Sequence, residues 1–278
     1  MNRAEASPSA VRALVRGVGD IGSAVAHRLF LAGHAVAIHD GEQPTVTHRG
    51  MAFADAIFDG RTSLDGVEAI RVADPEAVPA ILATKVAVPV VVGDFAAVLR
   101  LIAPDVLIDA RMRKRDSPEP QRGLAPLTIG LGPNFVAGHT TDVVVETSWE
   151  QLGHVVTRGA TLPFRGEPRA IAGHARDRYV YAPVPGTLLT SYAIGQHVVA
   201  GEVIARIDGT LLAAPLSGVL RGLTHHGVPV TAGTKVIEID PRGDPALVRG
   251  IAERPARIAA GVLQVLAGLP AGSRPQTA

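Results

Sequence analysis

Residues 17–22 read Gly-Val-Gly-Asp-Ile-Gly, and they join an apolar run at 11–15 to a segment, 23–32, whose apolar residues fall at helical spacing. Few local structures accept that pattern. Gly17 permits a tight turn, Gly19 lets a phosphate approach the backbone, and Gly22 allows a helix to pack closely on a strand. Gly33 stops the helix. Residues 34–39 then read as a second strand ending at Asp40. A strand–turn–helix–strand unit of about 30 residues presents helix N-terminal amides to an anion. An acid at the end of its second strand suits a ribose diol. The alternative is a helix that merely needs room to pack. Asp20 sits inside the turn, where it repels phosphate unless it points away or caps the helix; Arg16, just before the turn, can offset it.

Further along, strands and helices alternate. Helices are expected at 51–58, 75–83 (capped by Asp74) and 94–102 (capped by Asp94). Strands are expected at 66–72, 86–92, 105–110, 126–131 and 142–146. The β-branched run at 86–92 marks a buried strand. Such alternation predicts an α/β fold with a doubly wound parallel sheet.

The segment 181–240 contains an ungapped repeat with an offset of 32 residues. Ala182-Pro183, Gly186, Leu188, Gly195, Val198, Ala200-Gly201 and Ile207-Asp208 recur as Ala214-Pro215, Gly218, Leu220, Gly227, Val230, Ala232-Gly233 and Ile239-Asp240. The two copies resemble the halves of a biotinyl/lipoyl-type barrel-sandwich domain. In carriers of that type a modified lysine stands on the hairpin between the halves. Residues 206–213 hold no lysine here, and the nearest, Lys235, lies in the second copy. The resemblance therefore implies an unmodified docking or structural module.

Composition narrows the chemistry. The 278 residues contain no cysteine, which removes disulfides, thiolate metal sites and a Cys nucleophile. Aromatics are 4% against 47% hydrophobic residues, so the core must be built from Val, Ala, Leu and Ile. The net charge of +1, without a basic block, argues against nucleic acid as a partner. No apolar stretch reaches the roughly 20 residues of a membrane span, and the N-terminus does not read as a signal peptide, so a soluble cytoplasmic protein is expected. No HExxH or GxSxG motif occurs, and no metal site is assigned.

Two other regions carry candidate chemistry. A polar loop, 111–122, follows the strand that ends near Asp109, and its Arg111, Arg113, Lys114 and Arg115 could neutralise a pyrophosphate or a pterin phosphate. The alternative is a solvated loop. A glycine-rich turn with Gly132 and Asn134 precedes His139, Asp142 and Glu146; a metal site or acid–base pair there competes with ordinary strand-edge carboxylates.

Residues 14–29, with Arg-Gly ahead of Gly-Asp and Ala-His-Arg-Leu after it, resemble the start of the accessory proteins of the selenium-dependent molybdenum hydroxylase system, which are related in part to xanthine dehydrogenase accessory factors. Residues 53–60 with 65–67, 104–111 and 129–138 are similar to further blocks of that family. A departure follows Glu146-Thr147: the family's Arg-Gly-His-type stretch is replaced by Ser148-Trp149-Glu150-Gln151-Leu152-Gly153-His154. The resemblance implies maturation of a molybdenum hydroxylase, which would be the protein partner. The bound ligand would be molybdenum cofactor (a molybdopterin dinucleotide) or NAD.

The expected architecture is a Rossmann-like nucleotide-binding domain at 1–177, a barrel-sandwich hybrid domain at 178–241, and a helical segment with a tail at 242–278. The expected ligand-binding residues are Arg16, Gly17, Gly19, Asp20, Gly22, Asp40, Asp109, Arg111, Lys114, Gly132 and Asn134. A non-enzymatic accessory protein is favoured. The alternatives are an NAD-dependent oxidoreductase, for which no tyrosine is placed by a lysine, and a non-catalytic nucleotide sensor.

Overall fold

The structure is a computed structural model that describes residues 10–113, 116–166 and 168–268. The first part contains β1 (Arg12–Arg16), α1 (Asp20–Leu31), β2 (Ala35–Asp40), α2 (Asp55–Asp59), β3 (Arg61–Leu64), β4 (Val67–Arg71), α3 (Val78–Thr84), β5 (Val88–Val92), α4 (Phe95–Ile102), β6 (Val106–Asp109), β7 (Leu127–Leu131), β8 (Val136–Ala137), β9 (Val143–Val145), β10 (Val155–Val156) and β11 (Gly159–Ala160). Nine of these strands form one sheet in the order β10-β9-β7-β6-β1-β2-β5-β4-β3. The pairings from β9 through to β4 are parallel, whereas β3–β4 and β9–β10 are antiparallel.

The second part contains β12 (Tyr179–Tyr181), β13 (Gly186–Leu189), β14 (His197–Val198), β15 (Val203–Ile207), β16 (Thr210–Ala213), β17 (Gly218–Leu223), β18 (Pro229–Val230) and β19 (Lys235–Asp240), followed by α5 (Glu253–Ala267). Two four-stranded antiparallel sheets result, β12-β19-β17-β14 and β16-β15-β13-β18. The 32-residue repeat is visible in them: β13, β14 and β15 of the first copy correspond to β17, β18 and β19 of the second. The copies interlock, because β14 pairs with β17 of the other copy and β18 pairs with β13. Leu188 and Leu220, and Ile207 and Ile239, are equivalent and wholly buried.

This corrects the expected fold class. In place of a Rossmann-like doubly wound sheet followed by a barrel-sandwich domain, the chain has a large mixed sheet and separate antiparallel sheets. The β3–β4 hairpin turns through Asp65-Gly66, both at positive φ, and closes one edge. Among the described residues no helix links β6 to β7 or β7 to β9, so a loop-rich half stands where alternating helices were expected. Helix limits shift for local reasons. The segment at 75–83 begins as a 3-10 turn capped by Asp74 and continues as α3, while the helix at 51–58 shrinks to a 3-10 turn and the short α2. Asp94 caps α4, its Oδ1 accepting from Ala97 N at 2.8 Å. Pro255 lies in the first turn of α5, where a missing N–H costs nothing.

α5 returns to the first sheet and packs along α1. Two glycines seat it against the loop after β9. A Cβ at Gly261 would lie 2.4 Å from Gly153 O, and one at Gly153 would lie 2.4 Å from Arg257 O. No helix among the described residues is long and apolar enough to cross a membrane.

A Cβ at Gly22 would lie 1.9 Å from Gly17 O, whereas one at Gly19 meets nothing within 4 Å. Gly22→Ala should therefore cost about 1–3 kcal/mol, outweighing the helix propensity of roughly 1 kcal/mol that alanine adds. Gly19→Ala should change stability by less than about 1 kcal/mol. Urea unfolding midpoints of the two variants check this contrast.

Candidate functional site

β1 and β6 are the innermost strands, and the chain leaves them in opposite directions across the sheet. The crevice beyond their carboxyl ends is where open α/β sheets bind ligands. Gly17, Asp109, Ala110 and Arg111 line it. Gly17 needs its φ of +108°, and a Cβ there would lie 3.0 Å from the Ala110 carbonyl. Two of the turn's glycines are thus required by backbone packing. Gly19 is not: its φ of −62° suits any residue and the space before it is open. Asp40 does not face that space as a free carboxylate. Its Oδ2 accepts from Val18 N and its Oδ1 from Gly41 N, both at 2.7 Å, so it braces the glycine turn from behind.

Asp20 is the first residue of α1, and Gly19 is the N-cap. Its Oδ1 accepts from Ile21 N, and its Oδ2 accepts from His48 Nδ1 at 3.1 Å. The other ring nitrogen of His48 donates to Glu238 Oε2 of β19 at 2.7 Å. The imidazole thus bridges the glycine turn and the second module. A carboxylate at each nitrogen favours the imidazolium form. Burial disfavours that charge, but Glu238 and Asp20 overcome the penalty and raise the His48 pKa. Burial likewise pushes the Asp20 carboxyl up, and His48, Arg254 and Lys235 outweigh it to leave the pKa well below the carboxylate range.

Glu238 is almost wholly buried and gathers cations. Besides His48, it accepts from Lys235 Nζ at 2.7 Å and from Arg178 Nη1, and Arg221 Nε lies at 3.2 Å. Its own pKa is lowered against the cost of burial. Arg254 of α5 lies near Asp20 and donates to Thr147 O. Positive charge exceeds negative around this junction, and Arg178 Nε is buried without a hydrogen-bond partner among the described residues. Tyr179 completes the group. Lys235 Nζ lies 4.4 Å from its ring centroid, so a lysine does sit beside a tyrosine, contrary to the expectation from sequence. It contacts the ring face, while the Tyr179 hydroxyl accepts from Arg178. Burial and Glu238 push the phenol up to about 12, which makes it a poor proton donor.

The basic loop is paired rather than free. Asp109 is held by Arg111 through both oxygens and by Gln121 Nε2. Glu119 takes Arg16, Arg111 and Arg113. Lys114 and Arg115 lie outside the described residues. In the third region, Gly132 at φ +113° packs near Met112 and Thr147, and Asn134 Nδ2 donates to Asp116 O. Asp142 accepts from Thr128 and Arg122, and Glu146 accepts three backbone N–H groups, from Thr147, Ser148 and Leu162. Both carboxylates are used structurally, so no acid–base pair with His139 forms. Asp55, Asp59 and His225 bring potential ligand atoms within 4.8 Å of one another, but Asp55 is engaged by Arg49 and Asp59 is exposed.

Sequence reasoning missed His48, Arg178, Lys235, Glu238 and Arg254. One signal was present. At the 32-residue offset, Leu189, Val203 and Arg206 become Arg221, Lys235 and Glu238. The repeat breaks its symmetry at Glu238, which meets His48, and at the Arg221 and Lys235 that pair with it.

No family model matches the chain. It is 37% identical over 256 residues to "Uncharacterized protein YqeB" of Escherichia coli (strain K12), across 91% of this chain and 47% of that protein. The chain thus spans about half the length of the curated relative it matches. Two solved structures show a distant likeness. One is a succinylglutamate desuccinylase from Silicibacter sp. TM1040, at 13% identity, covering 83% of this chain and 84% of that one with a TM-score of 0.26. The other is a putative succinylglutamate desuccinylase/aspartoacylase from Shewanella frigidimarina, at 11% identity, covering 84% and 89% with a TM-score of 0.22. Scores this low say nothing of activity. The Rossmann and barrel-sandwich descriptions expected from the sequence are corrected by the sheet order itself.

Removing the Glu238 charge leaves several cations buried without their counter-ion. Glu238→Gln should cost about 3–5 kcal/mol in urea unfolding. The raised His48 pKa stabilises the fold below the ordinary histidine value of about 6.5, and that contribution is lost as pH rises through the folded-state value. Unfolding free energy should therefore fall as pH rises above about 6.5, and His48→Gln should flatten that slope.

Proposed function

We propose that the protein binds a small phosphate-bearing ligand of the nucleotide diphosphate type at the glycine turn, in the crevice between the first sheet and the second module. The observation that carries this reading is the division of labour among the glycines. Gly17 and Gly22 are demanded by backbone contacts, while Gly19 keeps an open approach that no packing contact uses. A phosphate there meets the first amides of α1, a 12-residue helix. The surplus of positive charge around His48, Lys235, Arg178 and Arg254 supports an anionic ligand, and neutralisation by His48 and Arg254 offsets the repulsion expected from Asp20.

Isothermal titration with NAD and with inorganic pyrophosphate tests the site. Gly19→Val should weaken binding at least about tenfold while the melting temperature stays within a few degrees, because a side chain there obstructs the ligand and not the fold. Undiminished binding by Gly19→Val would show that the turn is a packing device. Mass spectrometry of the natively purified protein identifies the ligand itself.

A further inference from the structure

The loop after β6 carries a second feature, beside the glycine turn but built from different side chains. Arg16, Arg111 and Arg113 converge on the carboxylate of Glu119. Arg16 is the last residue of β1, and its side chain is only 8% exposed, with the guanidinium stacked 3.6 Å from the Phe95 ring centroid. Burial and the neighbouring Arg111 both disfavour its charge. Its Nε is buried without a hydrogen-bond partner among the described residues. Arg111 is fixed by Asp109, which is also held by Gln121, and Gln121 Oε1 accepts from Arg16 Nη1 at 3.2 Å. Two of the three guanidiniums, Arg16 and Arg111, are thus held in place by contacts that do not require Glu119.

Glu119 itself is set differently. Its side chain is 42% exposed, far more than the Arg16 it neutralises, and it stands between Pro118 and Pro120 on a loop rather than on the sheet. Charge is also unbalanced. Asp109 cancels one of the three guanidiniums, and the two positive charges that remain match a doubly charged phosphoryl group. Glu119 cancels only one of them. We infer that this arginine cluster is an oxyanion site for the phosphoryl group of a small molecule, and that Glu119 occupies it as an internal stand-in which the ligand displaces. Arginine forks suit phosphate oxygens, and the position beyond the ends of β1 and β6 is one where α/β sheets take ligands.

The test uses inorganic phosphate as probe, in full-length protein carrying Gly19→Val so that the glycine turn does not contribute. In that background Glu119→Gln should raise phosphate affinity at least about tenfold by titration calorimetry, since the ligand no longer competes with a tethered carboxylate. Adding Arg113→Met should return the affinity to its starting value. If Glu119→Gln does not fold, Glu119→Asp, which withdraws the carboxylate by one methylene, should raise affinity in the same direction. Unchanged or weaker phosphate binding in the Glu119 variants overturns the proposal, as does insensitivity to Arg113→Met. Tighter binding of succinate than of phosphate overturns the phosphoryl assignment. None of these outcomes depends on whether the glycine turn binds a ligand.

Discussion

A buried carboxylate, Glu238, ties the two halves of this protein together, beside backbone bonds such as Leu223 N to Thr47 O and Gly250 N to Gly50 O. Stripping a carboxylate of water costs several kcal/mol, and only close, well-directed cations repay it. Glu238 draws His48 from the loop after β2, Arg178 from the segment before β12, and Arg221 and Lys235 from the second repeat copy. Through His48 the same carboxylate reaches Asp20 at the mouth of the glycine turn. The position of α1's first turn relative to β19 is thus set by an ionic chain of three side chains, not by apolar packing alone.

That chain also explains how an acid can stand inside a phosphate-type turn. An unneutralised Asp20 at the helix N-terminus would repel the anion proposed to bind there. Bonded to an imidazolium, and with Arg254 nearby, it carries little net charge toward the crevice. The second module therefore contributes charge beside Asp20. Lysine is scarce in this chain, and one of its three lysines is placed at that junction.

The local signals read from the sequence that hold are those with a single physical cause. Asp94 and Asp74 cap helices because a carboxylate before an apolar run has amides to accept. Gly22 is a packing glycine because the strand-to-helix turn leaves no room for a Cβ. The β-branched residues of β5 are buried because they have no amphipathic face. The global architecture was less legible. A β3–β4 hairpin and the helix-free connections from β6 to β9 replace regular crossovers, and strand-like runs in sequence do not reveal whether the chain between them forms a helix.

Residue type and local geometry were enough to give the glycine turn, the spacing of the 32-residue repeat, and the absence of cysteine and of a hairpin lysine. The fate of the carboxylates was settled by long-range folding. Asp40 turned inward to brace Val18, Glu146 was consumed by backbone amides, and Glu119 settled on three arginines. His48 and Glu238, 190 residues apart, became neighbours. A charged side chain bonds to whatever lies within about 3 Å of it, and that is a property of the folded surface rather than of sequence spacing.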